Sequence, residues 1–269
     1  MKYIGLVNFE TGEVITEGYT VTNRSQADAY AKLKRDEEAK KLGRNKDFTF
    51  SVMDALHEVT SVLTNAQCGY MLVLQGYADY KGRLVKPDRQ SLMKPADMAE
   101  VLALTSRRST FYDFLTRAID NEIIIEAGDI YSINQRYHFR GPINGRIAVQ
   151  SFTQNIRKAY AENMPEDLGL IYRMLPFVNV KYNTLCHNPD ERIVSEVRPL
   201  KAKEIAEICG IAPATFSRRF REWTFNERYI MAKVTIGKRT QYMFNPFIIY
   251  RGKDMTDDMA KGIFDIKAE

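Results

Sequence analysis

Residues 201–220 read KAKEIAEICGIAPATFSRRF, and this stretch decides the fold. Its first half places apolar side chains at helical spacing on one face, namely Ile205, Ile208 and Cys209. Gly210 then supplies a sharp turn, and Pro213 suits the first position of a second helix. From there, apolar side chains recur every three or four positions, at Phe216, Phe220 and Trp223. We therefore predict two short helices joined by a tight turn, a helix-turn-helix.

Two strand-like runs follow the helix-turn-helix. They cover residues 229–236 and 241–244 and flank the polar turn Gly237-Lys238-Arg239-Thr240. A β-hairpin in this position is a wing, so the whole stretch predicts a winged helix.

The same blocks occur earlier in the chain, which indicates an internal repeat. Four blocks recur in the same order at nearly constant offsets: 69–74 with 169–174, 98–101 with 205–208, 110–111 with 215–216, and 131–141 with 242–252. We predict an α+β fold, mainly α, with two winged helix-turn-helix domains in tandem. The predicted domains span residues 49–148 and 149–252.

The segments outside the repeat are short. Within residues 1–48, strand-like runs at 3–7 and 14–15 predict a β-hairpin, and residues 23–43 predict a charged helix. The mixed charges of that helix fit either a solvated face or a basic arm near DNA. The tail, residues 253–269, is weakly amphipathic and predicts a helix that covers the second domain or pairs with another subunit.

The outward face of the second helix in residues 149–252 has chemistry suited to duplex DNA. Arginine reads guanine edges, and serine or threonine hydroxyls reach bases or phosphates. The candidate contacts on this helix are Thr215, Ser217, Arg218, Arg219 and Arg221, and those on the wing are Lys233, Lys238 and Arg239. Residues 200–252 carry ten basic and four acidic side chains. An exposed basic helix is often only a solvated face, but a basic helix and a basic wing together favour DNA contact.

The earlier repeat is less cationic, with ten basic and nine acidic side chains over residues 63–141. Its wing carries Glu126 and Asp129. Its candidate DNA contacts lie in and just after the turn: Ser106, Arg107, Arg108, Ser109, Thr110 and Tyr112, with Arg117 as a secondary candidate. This repeat is either a second DNA contact or a module for dimerisation or packing.

The sequence gives little indication of membrane contact, metal binding or catalysis. The chain has 269 residues, a net charge of +5 and no apolar run near the roughly 20 residues that cross a bilayer, so we expect a cytoplasmic protein without membrane contact. The three cysteines, Cys68, Cys186 and Cys209, are odd in number and widely spaced, which predicts reduced thiols and no metal site. Phosphate-binding and nucleophile-elbow motifs are absent, so we expect no enzyme activity and no cofactor. The neighbourhoods of His57 and His138 are apolar or aromatic, which predicts packing roles.

The strand from Tyr242 to Gly252 resembles the winged-helix plasmid replication proteins of Firmicutes, the RepL type, and related phage proteins. In that family an Asn-Pro pair, an aromatic residue and a glycine close the wing, as Asn245-Pro246 and Gly252 do here. The resemblance covers residues 165–252 and, more faintly, 63–141. The tandem arrangement also looks like that of theta-type plasmid initiators.

These observations lead to one expected function and two alternatives. We expect sequence-specific binding of double-stranded DNA in plasmid or phage replication initiation or its control. A transcriptional regulator of phage or plasmid genes would use the same surface, and a winged-helix interaction scaffold would use the same fold. The expected partners are double-stranded DNA, a second copy of the chain in a homodimer, and components of the replication or transcription machinery.

Overall fold

The computed structural model describes residues 6–7, 14–15, 47–236, 239–251 and 263–264. Contacts divide the chain into two compact units, residues 1–43 and 44–269. In the first unit, β1 (Leu6–Val7) pairs antiparallel with β2 (Val14–Ile15), which confirms the predicted hairpin. The predicted charged helix at 23–43 lies outside the described residues, as do Lys238 and all of the predicted tail helix except 263–264.

The second unit is a mixture of helices and small antiparallel sheets, and its elements occur in two similar series. The first series comprises β3 (Phe48–Val52), α1 (Leu56–Val62), α2 (Asn65–Leu74), α3 (Pro95–Val101), α4 (Arg108–Asp120), β4 (Ile124–Ala127), β5 (Ile130–Ile133) and β6 (His138–Phe139). We call residues 47–141 the first half. The predicted two helices, turn, and hairpin are all present in it.

The second series defines the second half, residues 148–251, and follows the same order except for an added strand pair, within residues 224–229, before its hairpin. It comprises β7 (Ala148–Phe152), α5 (Thr153–Glu162), α6 (Pro165–Met174), α7 (Ala202–Cys209), α8 (Pro213–Arg219), β8 (Thr224–Phe225), β9 (Arg228–Tyr229), β10 (Met231–Ile236), β11 (Arg239–Phe244) and β12 (Ile249–Tyr250). The helices predicted around Gly210 and the hairpin predicted after them lie within one or two residues of their expected bounds, apart from an earlier end of α8.

The two halves share one four-stranded antiparallel sheet with the strand order β12-β7-β3-β6. Its two inner strands, β3 and β7, pair with each other, Phe48 opposite Phe152. Each edge strand is the last strand of its own half, so β6 flanks β3 and β12 flanks β7. The halves are therefore joined through the first strand of each, and the backbone hydrogen bonds between these two strands hold the sheet together.

Helices α2 and α6 bring the halves together a second time, at two glycines. A Cβ atom on Gly69 would lie 1.9 Å from the carbonyl oxygen of Pro165, and one on Gly169 would lie 1.7 Å from that of Asn65. No side chain tolerates such a distance to backbone. Glycine at these matching positions of the repeat thus allows the two helix backbones to touch.

A buried polar chain also links the halves. His138 on β6 lies 3.0 Å from the Ser51 hydroxyl through Nδ1 and 2.7 Å from the Tyr172 hydroxyl on α6 through Nε2. Because Ser51 donates to the side-chain oxygen of Gln75, the ring is placed to donate from Nδ1 and to accept the Tyr172 proton at Nε2. Burial lowers the pKa of His138 to about 3. The packing role predicted for His138 is confirmed, whereas His57 is exposed and its predicted packing role is wrong.

Outside this centre, the apolar stripe of the helix-turn-helix region is buried as well. Phe216, Phe220 and Trp223 are all buried, as the apolar stripe predicts. Within the described ranges, no helix combines the length and apolar character that a bilayer crossing requires.

Candidate nucleic-acid interface

Helices α7 and α8 meet at the turn that the sequence indicates. Gly210 ends α7 with a left-handed backbone, φ 66°, which glycine adopts without a steric penalty. Pro213 occupies the first position of α8, where a missing amide proton costs no helical hydrogen bond. With Phe216 buried beneath it, α8 presents its opposite face to solvent.

A buried carboxylate fixes the end of α8 to α6. Asp167 accepts a hydrogen bond from Trp223 Nε1 at 2.8 Å and an ion-pair contact from Arg219 Nε at 3.0 Å. Only 24% of the Arg219 side chain and 12% of the Asp167 side chain are exposed. The structure thus gives Arg219 an anchoring task, so we leave this predicted base-reading residue out of the surface proposed below.

The other predicted residues of α8 remain available. Arg218 and Arg221 are exposed, while Thr215 and Ser217 are half-buried on the same helix. The Arg221 guanidinium lies 5.9 Å from the centre of the Phe220 ring. Neither Arg218 nor Arg221 forms an ion pair within the described part of the chain. Two guanidinium groups without an ion pair in the described ranges are therefore exposed here, Arg218 on α8 and Arg221 just after it.

The hairpin of β10 and β11 is held against α8 by one tyrosine. The Tyr242 ring packs edge-on against Phe216 and Phe220, with ring centres 5.5 and 5.4 Å apart. Its carbonyl oxygen accepts a 2.8 Å hydrogen bond from the amide of Leu185, which adds a third backbone segment to the hairpin. Lys233, directly opposite Tyr242, is exposed. The hairpin and the helix are therefore packed directly against each other.

Beside this hairpin lies a cavity of 570 Å³, bounded on its other side by the start of α7. Four cationic side chains line it, Arg198, Lys201, Lys233 and Arg239. The last two belong to the predicted wing contacts. Arg198 and Lys201 were not predicted, although both precede α7 in a basic stretch that could have pointed to them.

The equivalent surface of the first half has a different character. At the α3–α4 turn, five predicted side chains and Tyr112 on α4 are exposed: Ser106, Arg107, Arg108, Ser109 and Thr110. On the hairpin, however, the Tyr131 hydroxyl donates to the Glu126 carboxylate, a bond that raises the pKa of Tyr131 to about 12. Ile125 and Ile130 are 46% and 37% exposed there. This hairpin offers acidic and apolar groups in place of cations.

The sequence block that carries the family resemblance has a structural task. The Asn245 side chain donates to the carbonyl oxygen of Tyr229 and accepts from the amide of Phe247, at 2.9 and 3.0 Å. Asn134 repeats both contacts in the first half, with Glu122 and Arg136. The repeated asparagine therefore closes the end of each hairpin and is not an exposed ligand-binding group.

The cysteines are free and buried, and burial raises the pKa of Cys68 and of Cys209 to about 12. Across the described ranges, no group of three or more histidine, cysteine, aspartate or glutamate side chains is arranged to hold a metal ion. Comparison of the chain with protein-family models, with curated proteins and with solved structures finds no match.

Proposed function

We propose that this protein binds double-stranded DNA through its second half, with α7, α8 and the β10–β11 hairpin acting as a winged helix. The single observation that carries the proposal is the cationic surface formed by α8 and the hairpin. Arg218, Arg221, Lys233 and Arg239 are all exposed, and none has an ion-pair partner among the described residues. Phosphates are the complementary charge.

The proposed binding mode assigns a task to each element. Helix α8 enters the major groove, where Arg218 reaches base edges and the hydroxyls of Thr215 and Ser217 reach bases or phosphates. The hairpin contacts the neighbouring backbone through Lys233 and Arg239. Arg219 holds the helix in position through Asp167. The protein then needs no catalytic group.

The test is duplex binding by a double variant, Arg218→Ala with Arg221→Ala. Each arginine that touches a base should cost about 1–3 kcal/mol of binding free energy when it is replaced, and sequence preference should flatten. A matched control, Lys81→Ala with Arg192→Ala, removes two exposed positive charges elsewhere. Fluorescence anisotropy with a labelled duplex compares the two variants. Equal affinities for both would remove α8 from the interface.

The biological role we propose is replication initiation on a plasmid or phage, or its control. A regulator of transcription would use the same surface at a promoter. Selection of bound fragments from the replicon separates the two roles, because iterated sites at an origin support initiation and single sites over a promoter support regulation.

The first half supports a second proposal, contact with protein. Its exposed Ile125 and Ile130 lie next to the acidic Glu126, a combination that favours a protein surface over phosphate. A second copy of the chain is the simplest partner. Light scattering tests this, since Ile125→Lys should shift a dimer toward monomer and leave an existing monomer unchanged.

A further inference from the structure

The cavity between α7 and the β10–β11 hairpin has an unusual charge balance. Its volume is 570 Å³, and its walls carry the four cations Arg198, Lys201, Lys233 and Arg239 without any carboxylate. The remaining lining side chains are neutral. Volumes of roughly 300–1,000 Å³ are typical of small-molecule and cofactor sites. The cavity is thus large enough for a nucleotide and carries the opposite charge.

The cations that line the cavity have no ion-pair partner among the residues that the structure describes. Within the described part of the chain, none of the four forms an ion pair, and the Arg239 guanidinium makes only a 3.4 Å contact with the carbonyl oxygen of Ser195. One carboxylate outside the cavity lining, Glu204, lies near Lys201: it accepts the Lys201 amide at 2.7 Å and lies 3.1 Å from His187 Nε2. The hydrogen bond from that amide is the main cause of the lowered pKa of Glu204, and the Lys201 charge contributes to it. Four like charges around one space favour an anion within it.

The cavity also has an apolar side. Pro199 and Ala202 are half-buried and line this side, beside Val197 and Tyr242, which are almost fully buried. A lone phosphate would use the cations and leave this surface empty, whereas a sugar or base could pack on it. Arginine favours phosphate because its planar donors match two oxygens at once.

We propose that this cavity binds one nucleotide unit, with its phosphate among the four cations and its sugar or base on the neutral side of the wall. The unit has two sources with the same chemistry. It is either a nucleotide of bound DNA, in which case the inference rests on the proposed function, or a free nucleotide. Because Tyr242 lines this wall and its ring packs on Phe216 of α8, the occupant lies beside the residue that holds α8 and the hairpin together.

The test compares a cavity variant with a charge-matched control. The cavity variant is Arg198→Ala with Lys201→Ala, and the control is Arg192→Ala with Lys203→Ala, where both side chains lie outside the cavity lining. All four residues are exposed, so both variants should fold, which their thermal melting curves verify. Each protein is titrated calorimetrically with ATP without divalent cations, and by anisotropy with a labelled duplex.

For a free nucleotide, we expect ATP to bind the wild-type protein and the control, with at least tenfold weaker binding to the cavity variant. For a DNA nucleotide, we expect no ATP binding, and at least tenfold weaker duplex binding by the cavity variant than by the control. The slope of the salt dependence should then fall by about 0.9 for each phosphate that the cavity variant no longer neutralises.

Two results overturn the inference. One is equal behaviour of the cavity variant and the control in both titrations. The other is a wild-type protein that binds neither ATP nor duplex. If the wild-type protein binds duplex, and the cavity variant matches the control with both ATP and duplex, the cavity is overturned and the proposed function is kept. If the wild-type protein binds ATP but no duplex, and ATP binds the cavity variant more weakly than the control, the proposed function is overturned and the cavity is kept.

Discussion

In both halves of residues 47–251, the amide of one leucine donates to the carbonyl oxygen of a hairpin tyrosine. Leu84 does so to Tyr131, and Leu185 to Tyr242, both at 2.8 Å. The side chains opposite these tyrosines differ, since Glu126 faces Tyr131 and Lys233 faces Tyr242. The same backbone position thus carries opposite charges. Backbone pairing fixes the shape of each half, while the exposed side chain at that position determines what the surface can bind.

The pairing of cations differs between the halves in the same way. In the first half Arg83, Lys86 and Arg89 each form an ion pair with aspartate, at 2.7, 2.7 and 2.6 Å. On α8 and the second hairpin, Arg218 and Lys233 have no such partner in the described ranges. These three cations of the first half are thus paired internally, whereas Arg218 and Lys233 are available to an external anion.

The largest expected effect comes from breaking the close contact between helices α2 and α6, which joins the two halves. Gly169→Ala would place a methyl group 1.7 Å from the carbonyl oxygen of Asn65, so α2 and α6 must separate. We expect a loss of at least about 3 kcal/mol in the free energy of unfolding, the upper end for overpacked sites. Urea denaturation measures it.

The control for this glycine is Gly145→Asn. Gly145 has φ 78°, which asparagine tolerates, and no atom lies within 4 Å of an added Cβ. Its cost should stay below about 1 kcal/mol. Similar midpoints for the two variants would show that the helices do not meet as closely as described.

The second effect depends on pH and arises at His138, whose equivalent in the second half is Ile249. Burial lowers the pKa of His138 to about 3, while the unfolded chain takes up the proton near pH 6.5. The contribution of the neutral ring to stability is therefore complete above about pH 6.5 and is lost as the pH falls toward 3. Between about pH 7 and pH 5 the loss should be about 2 kcal/mol.

Denaturation at the two pH values tests this, with His138→Gln and the exposed His57→Gln compared with the wild-type protein. His138→Gln should be less stable at neutral pH and should lose the part of the pH dependence that belongs to His138. His57→Gln should keep the wild-type dependence. An unchanged dependence in His138→Gln would show that this ring does not control it.

The sequence predicts the local parts of each half well. Gly210 and Pro213 specify a turn, and the apolar stripe that begins at Phe216 specifies a buried helix face. Both signals depend only on residues close in sequence, and both elements are observed. The shared sheet was not predicted, because β3 and β7 show no block similarity and pair across about a hundred residues. The task of Arg219 was missed for the same reason, since Asp167 lies far away in sequence.

At the candidate interface, sequence reasoning found the exposed positions and not their partners. Lys233 is exposed, yet its neighbours in space, Arg198 and Lys201, lie some thirty residues earlier and reach it only through folding. The sign of the charge is readable from sequence, but the cavity that concentrates it is a tertiary feature.

The third effect tests the charge reversal on the hairpins directly. Lys233→Glu copies the first half onto the second, and we expect about tenfold weaker duplex binding, or about 1.4 kcal/mol, because a carboxylate there repels phosphate. Glu126→Lys makes the reverse change and should not weaken binding. Anisotropy at about 50 and 200 mM salt separates the charge contribution, since the Lys233→Glu deficit should shrink as salt rises. Equal losses for both changes would contradict the division of tasks.

The smallest effect concerns the first half itself. Arg107→Ala with Arg108→Ala removes two exposed cations from the turn before α4. The outward side of α4 carries the carboxylates Asp113 and Asp120 beside a surface depression, so phosphate approaching this helix meets negative charge that α8 lacks. We therefore expect duplex affinity to fall about threefold or less, on the scale of exposed charge pairs. Anisotropy compares this variant with the Arg218→Ala, Arg221→Ala double variant. An equally large loss of duplex affinity would show that both halves bind DNA, and that the charge difference between their surfaces does not determine which half binds.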